Sequence, residues 1–169
     1  MKKKTVSSVR QWNLPALLGW LVFALALTGL DQWSKSWIQH RMIVGDSERI
    51  TDFFNLVVAY NSGAAFSFLA DAGGWQRPLF AALAILVSLV ICVIIARNSS
   101  RKWLCLGLAL VLSGALGNAW DRMTIGVVVD FLDFHWGALH WPAFNVADIC
   151  ICCGAFLVVV CEFFGKKQN

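Results

Sequence analysis

Four uninterrupted apolar runs limit this chain more than any other feature. They lie at about residues 14–30, 78–96, 103–120 and 143–164. Each is close to the roughly 20 residues a helix needs, at about 1.5 Å per residue, to cross a ~30 Å hydrocarbon core. The rest of the sequence does not dilute them. Of the 169 residues, 59% are hydrophobic and 14% charged, against roughly 45–50% and about 25% in soluble domains. A water-soluble fold of this size has no interior large enough for that surface. The expected fold class is an all-α integral membrane protein with four transmembrane helices.

Charge placement orients the chain. Lys2, Lys3, Lys4 and Arg10 precede the first run, Arg97, Arg101 and Lys102 join the second to the third, and Lys166 and Lys167 follow the fourth. These nine of the 14 basic residues fall on one side of a four-span protein. The positive-inside rule makes that side cytoplasmic, so both termini are expected there. The other five, Lys35, Arg41, Arg49, Arg77 and Arg122, lie on the opposite side in longer segments. Basic residues grouped in this way are not the basic stripe, interleaved with aromatics, of a nucleic-acid binder. The start MKKKTVSSVR, with Ala24 and Ala26 as a small-x-small pair, also fits a secretory signal peptide. However, Leu27 and Leu30 carry the run past that pair, and the run exceeds the roughly 7–15 residues of a secretory core. An uncleaved first helix is the expectation.

The outer loops are then about 31–77 and 121–142. In the first, Arg49 to Tyr60 (RITDFFNLVVAY) is β-branched and aromatic, which predicts short strands. Residues 46–68 are expected to form a platform over the site. Neither repeat nor linker divides the chain, so 1–169 reads as one domain. The six cysteines sit within apolar runs and read as packing residues, not as a disulfide or metal set. Most of the nine tryptophans lie near span boundaries, as in an aromatic belt.

Polar side chains converge on the outer boundary. Asp31 ends the first run, Asn118, Asp121 and Arg122 end the third, Asp130 follows three valines, and Asn145 and Asp148 open the fourth. Ionisable groups beside a span cost about 2.5–3.5 kcal/mol each on insertion scales, and function is the default reading for them. If the fourth helix starts at Pro142, Asp148 lies ~9 Å inward along it. The plain alternatives are structural. Asp130 and Asp148 could cap a helix or pair with Arg122, and Asp121 could cap helix three or pair with Arg122. Asp31 and Lys35 are spaced i, i+4, as in a helical ion pair. Asn61 and Gly63 suit a turn, and Asn118 and Asn145 could satisfy backbone groups.

The sequence also contains DQWSK at 31–35, NSGAAFSF at 61–68, GALGNAWDR at 114–122, VVDF at 128–131 and FNVAD at 144–148. In content and order these resemble the signature blocks of the lipoprotein signal peptidase family (signal peptidase II). The resemblance implies four transmembrane helices, a small periplasmic β-rich platform with a short periplasmic helix, and a site near the periplasmic face of the bacterial inner membrane. It implies an aspartic endopeptidase whose catalytic pair is Asp130 and Asp148. Asp31, Lys35, Asn61, Gly63, Asn118, Asp121, Arg122, Asn145 and Ala147 would support the site or contact substrate. The implied substrate is a prolipoprotein, cut before a diacylglyceryl-modified cysteine that enters sideways from the lipid. Cyclic peptides of the globomycin type are the implied inhibitors. A monomer is expected, with membrane lipids as its surroundings and no nucleic-acid partner. Ser113 departs from the family's usual glycine, which bears on the packing of helix three.

The chemistry is consistent with the residues alone. Two carboxylates sharing a proton can activate water and protonate a leaving amine. His40, His135 and His140 lie in outer segments without an evident Ser or Cys partner, and no H-E-x-x-H is present. No metal and no cofactor is expected. A transporter, with polar residues along a path through the membrane, and a non-catalytic structural protein are the rival readings.

Overall fold

A computed structural model describes residues 12–63 and 73–164. The elements run α1 (Leu14–Arg41), β1 (Ser47–Arg49), β2 (Phe54–Asn61), α2 (Gln76–Arg97), α3 (Lys102–Thr124), β3 (Val128–Trp136), β4 (Leu139–His140) and α4 (Val146–Phe164). The four apolar runs thus form four helices long and apolar enough to cross a membrane.

The first helix is longer than its apolar run. With 28 residues it measures roughly 42 Å, more than a hydrocarbon core needs. Hydropathy stops at Leu30, but residues 31–41 contain neither Gly nor Pro. They also continue a buried stripe through Ala24, Asp31, Lys35 and Ile38, spaced by whole helical turns. The outer loop therefore begins as helix.

The fourth helix is shorter at its start than expected. Phe144 is drawn into the sheet, where its carbonyl accepts from Phe131 and Leu132 and its N–H donates to Leu132. The helix begins at Val146, which puts Asp148 in its first turn rather than ~9 Å deep.

Helix α3 is the hub of the bundle. Of its span 61% is buried, against 11–17% in the other three. Ala24 of α1, Ile91 and Ile95 of α2, and Leu104, Cys105, Leu108, Ala109 and Leu112 of α3 form the inner core. Close approach of α3 to its neighbours depends on missing side chains. A Cβ on Gly114 would collide with the Ala147 carbonyl of α4, and one on Gly117 would sit 2.6 Å from Asp31 Oδ2. Thr28 Oγ1 donates to Ser113 O at 3.1 Å, tying α1 to α3. Ser113 is itself buried, its hydroxyl satisfied by Leu110 O. All six cysteines are free.

The sheet has the order β1-β2-β3-β4, every neighbour antiparallel. The Arg49–Tyr60 segment divides into the end of β1, a turn and most of β2. The second outer loop contributes β3 and β4, which the sequence reading did not anticipate. Val58, Val129 and Phe131 pack on Ile38, so the extended end of α1 supports the sheet. The short helix implied by the resemblance has no counterpart among the described residues. Residues 64–72, including part of the expected platform, and the basic residues Lys2, Lys3, Lys4, Arg10, Lys166 and Lys167 lie outside them.

Candidate active site

The start of α4 organises the site. Asn145, fully buried, is its cap: Oδ1 accepts the Asp148 N–H at 2.9 Å, and Asp148 Oδ2 accepts the Asn145 N–H at 3.3 Å. This reciprocal pair is the capping box that helix starts favour, spelled here Asn-Val-Ala-Asp. A second free N–H of the first turn, that of Ala147, donates to Asp31 Oδ1 of α1 at 2.8 Å. The capping role considered for Asp148 is therefore real, and it fixes the carboxylate at the start of α4.

Asp130 lies on β3, opposite Ala59 of β2, and is 3% exposed. Asn145 Nδ2 donates to its Oδ1 at 2.7 Å and Asn61 Nδ2 to its Oδ2 at 3.2 Å. One asparagine thus touches both aspartates, through its side chain to Asp130 and through its backbone to Asp148. Burial and the neighbouring Asp148 charge push the Asp130 carboxyl up to about 7, against the smaller opposing pull of the Asn61 and Asn145 donors and of Lys35.

A buried ion triad adjoins this pair. Lys35, 2% exposed, holds Asp31 Oδ2 and Asp121 Oδ2, each at 2.8 Å, and donates to Asn118 Oδ1 at 3.0 Å. Its three protons have three acceptors. Asn118 passes the network on, its Nδ2 donating to Asp148 Oδ1 at 2.8 Å. Asp121 also accepts from Gln32 Nε2 at 2.8 Å and from Val129 N at 3.3 Å. It therefore pairs with Lys35 and anchors β3, instead of pairing with Arg122 as the adjacent positions implied.

Arg122 makes no salt bridge to a carboxylate among the described residues. It donates to the Asn118 carbonyl at 3.1 Å and the Gly63 carbonyl at 2.7 Å, and lies over the Phe80 ring of α2 at 5.3 Å. Its Nε is buried without a hydrogen-bond partner. Asn61 Oδ1 accepts the Gly63 N–H at 3.0 Å, so the expected turn and a contact to Asp130 coexist in one side chain.

All eleven residues singled out from sequence thus join one connected network. Gln32 was missed, although it lies in the DQWSK block. It bridges Asp31, the Gly117 carbonyl and Asp121. Position next to Asp31 was the available signal, but a glutamine beside a charged pair reads as surface. A separate cluster on the sheet contains Asp133, His140 and Asn55. Burial raises the Asp133 carboxyl, but His140 and Asn55 outweigh that and hold it below the ordinary carboxylate range. It is a hydrogen-bonded cluster, and among the described residues no hydrogen bond ties it to Asp130 or Asp148. Among the described residues no group of three or more His, Cys, Asp or Glu is placed to hold a metal ion.

The family model for signal peptidase (SPase) II matches residues 23–164. The chain is 50% identical over 147 residues to a lipoprotein signal peptidase of Paraburkholderia phytofirmans, covering 87% of this chain and 86% of that one. It is 53% identical over 143 residues to one of Ralstonia nicotianae, covering 85% and 83%. Two solved structures of bacterial membrane enzymes, determined by the in meso method at 2.3 and 1.9 Å, superpose with TM-scores of 0.77 and 0.75. They share 25% and 26% identity and cover 95% of this chain and 97% and 98% of theirs. With four spans, a small antiparallel sheet and matches over most of its length, the chain belongs to the signal peptidase II family.

Proposed function

We propose that this multi-pass bacterial membrane peptidase removes signal peptides from prolipoproteins by activating water between Asp130 and Asp148, cutting just before a diacylglyceryl-modified cysteine. The observation that carries this reading is a pair of aspartates bridged by one asparagine, with only neutral donors hydrogen-bonded to them, at one end of a bundle of spans.

The pair balances the reaction. One carboxylate takes a proton from water as its oxygen bonds to the scissile carbonyl carbon. The other gives its proton to the carbonyl oxygen, forming a neutral gem-diol. On collapse the C–N bond breaks, the first carboxyl protonates the leaving amine, and the second recovers a proton from the diol. Asn145, Asn118 and Asn61 hold both carboxylates in place. Asp31, Lys35, Asp121 and Ala147 hold α1, the end of α3 and the start of α4 around them. Gly63 and Arg122 border the dyad and are the proposed peptide contacts.

Helices α1, α2 and α4 all pack on α3, and the lipid is taken to enter sideways from the bilayer, its acyl chains among apolar helix surfaces. Cyclic peptides of the globomycin type compete for that position. The basic clusters support cytoplasmic termini and a site near the periplasmic face. A monomer would suffice for this chemistry, because one chain supplies all eleven residues of the network.

Purified protein in detergent, given a prolipoprotein with and without its diacylglyceryl group, tests the reading by mass spectrometry. A cut before the lipidated cysteine, and none in the unmodified substrate, is expected. Equal cutting of both, or of neither, would sink it. Labelling of single cysteines placed near Arg101, from either side of the membrane, tests the orientation. Labelling from the periplasm would reverse it.

A further inference from the structure

We infer that the two aspartates are not interchangeable: Asp130 carries the shared proton and acts as the acid, while Asp148 is the anion that receives the proton of the attacking water. This assignment rests on the two-aspartate reading above and divides its labour.

Three differences between the residues support it. The first is exposure. Asp130 is 3% exposed within the sheet, whereas Asp148 is only partly buried. Removing a charge from water costs most where burial is deepest, and water reaches the less buried carboxylate more readily.

The second is backbone environment. Asp148 occupies the third position of α4, where free N–H groups and the aligned peptide dipoles favour negative charge. Its Oδ2 accepts one of those groups, the Asn145 N–H that leads into the helix. Asp130 sits on a strand, where peptide dipoles alternate and do not accumulate.

The third is the surrounding charge. Asp31 and Asp121 are occupied by Lys35, so neither is free to take the proton from the dyad. Lys35 also donates to Asn118 Oδ1, which polarises the amide whose other end donates to Asp148. Asp130 receives only the neutral amides of Asn61 and Asn145. Of the hydrogen bonds that reach the pair, the one backed by a cation runs from Lys35 through Asn118 to Asp148. The upward displacement of the Asp130 carboxyl to about 7 has the same sense.

In the proposed reaction, Asp148 takes the water proton as the C–O bond forms, and Asp130 protonates the scissile carbonyl oxygen. Asp148 then passes its proton to the amine as the C–N bond breaks. Asp130 is reprotonated by a hydroxyl of the gem-diol as that carbon becomes the new carboxyl group. Each carboxyl group ends as it began.

Infrared spectroscopy of the full chain in bilayers, titrated across neutrality, tests this. The wild type should show the carbonyl stretch of a protonated carboxyl that disappears with a midpoint near 7. Asp130→Asn should remove that band. Asp148→Asn should retain it with a lower midpoint, because the like charge sustaining it is gone. A band that survives in Asp130→Asn and vanishes in Asp148→Asn would overturn the assignment. Asp130→Ala and Asp148→Ala give the same comparison if an Asn variant fails to insert. Cleavage of lipidated substrate, assayed on the same samples, separates the two levels. Its retention in either Asn variant would overturn the two-aspartate reading itself, and the division of labour with it.

Discussion

Two pairs of aspartates lie at the same end of the bundle, joined through Asn118, yet they are neutralised by different means. Asp31 and Asp121 share Lys35, with both contacts at 2.8 Å. Asp130 and Asp148 share only amides and backbone groups. A cation placed between two carboxylates satisfies them permanently and leaves nothing to react. A pair without one relies on a proton to relieve its like-charge repulsion, and a proton can move. On the proposed mechanism, that difference separates scaffold from chemistry within one hydrogen-bonded network, with Lys35 as the dividing line.

The sharpest way to break this comparison is to remove either carboxylate of the second pair. Asp130→Asn or Asp148→Asn should leave the protein folded and inserted, while cleavage falls on the order of 10³-fold or more. The double variant should be little worse than either single one, because the two act as a unit. A gel-shift assay on lipidated prolipoprotein, with variants matched in thermal stability, measures this. Near-normal cleavage by either would move suspicion to Asp121.

The first pair should fail in the opposite manner. Lys35→Met strands two buried carboxylates, and breaking a buried pair costs about 3–5 kcal/mol. Thermal unfolding in detergent should register that loss, while cleavage per folded molecule falls by about 100-fold at most, through misplacement of Asn118. Asp121→Asn should lie between Lys35→Met and the wild type in stability, since Lys35 keeps Asp31.

A smaller effect follows from pH. The folded Asp130 carboxyl at about 7 lies above its ordinary value of 3.8. The folded state therefore binds the proton more tightly, and its contribution to stability is full at low pH and is lost as pH rises toward the folded value. Asp130→Asn has no such loss. Its Tm relative to wild type should improve as pH rises from about 5 to about 8, by the equivalent of up to a few kcal/mol. A constant difference across that range would show that Asp130 has no raised value. The smallest expected effect is none: EDTA should leave cleavage unchanged, and zinc-restored loss would contradict a two-carboxylate mechanism.

Much of this was legible because it depends on composition and periodicity. Four runs needing lipid, the basic asymmetry and the i, i+4 spacing of Asp31 and Lys35 are local properties. The limits of α1 and α4 were not legible, because each is set by a partner far away in sequence. The first helix continues past its apolar run because Ile38 packs on Val58, Val129 and Phe131. The fourth starts late because Phe144 pairs with Leu132 of β3. The strands of the second outer loop escaped notice for the same reason. Their pairing with β2 is a long-range contact, and Val128–Val129–Asp130 does not alternate in burial.

The sequence alone therefore determined that the chain must enter a membrane, in how many passes, and which acidic residues had to justify their cost there. Those are consequences of solvation free energy, which each segment carries regardless of its neighbours. Which carboxylates meet a lysine and which meet only amides was decided by the tertiary structure. Asp121 adjoins Arg122 in sequence yet pairs with Lys35, 86 residues away, because α1 and α3 close on each other where Gly117 has no side chain. Electrostatic partnership depends on distance in space, and the packing of the helices sets that distance.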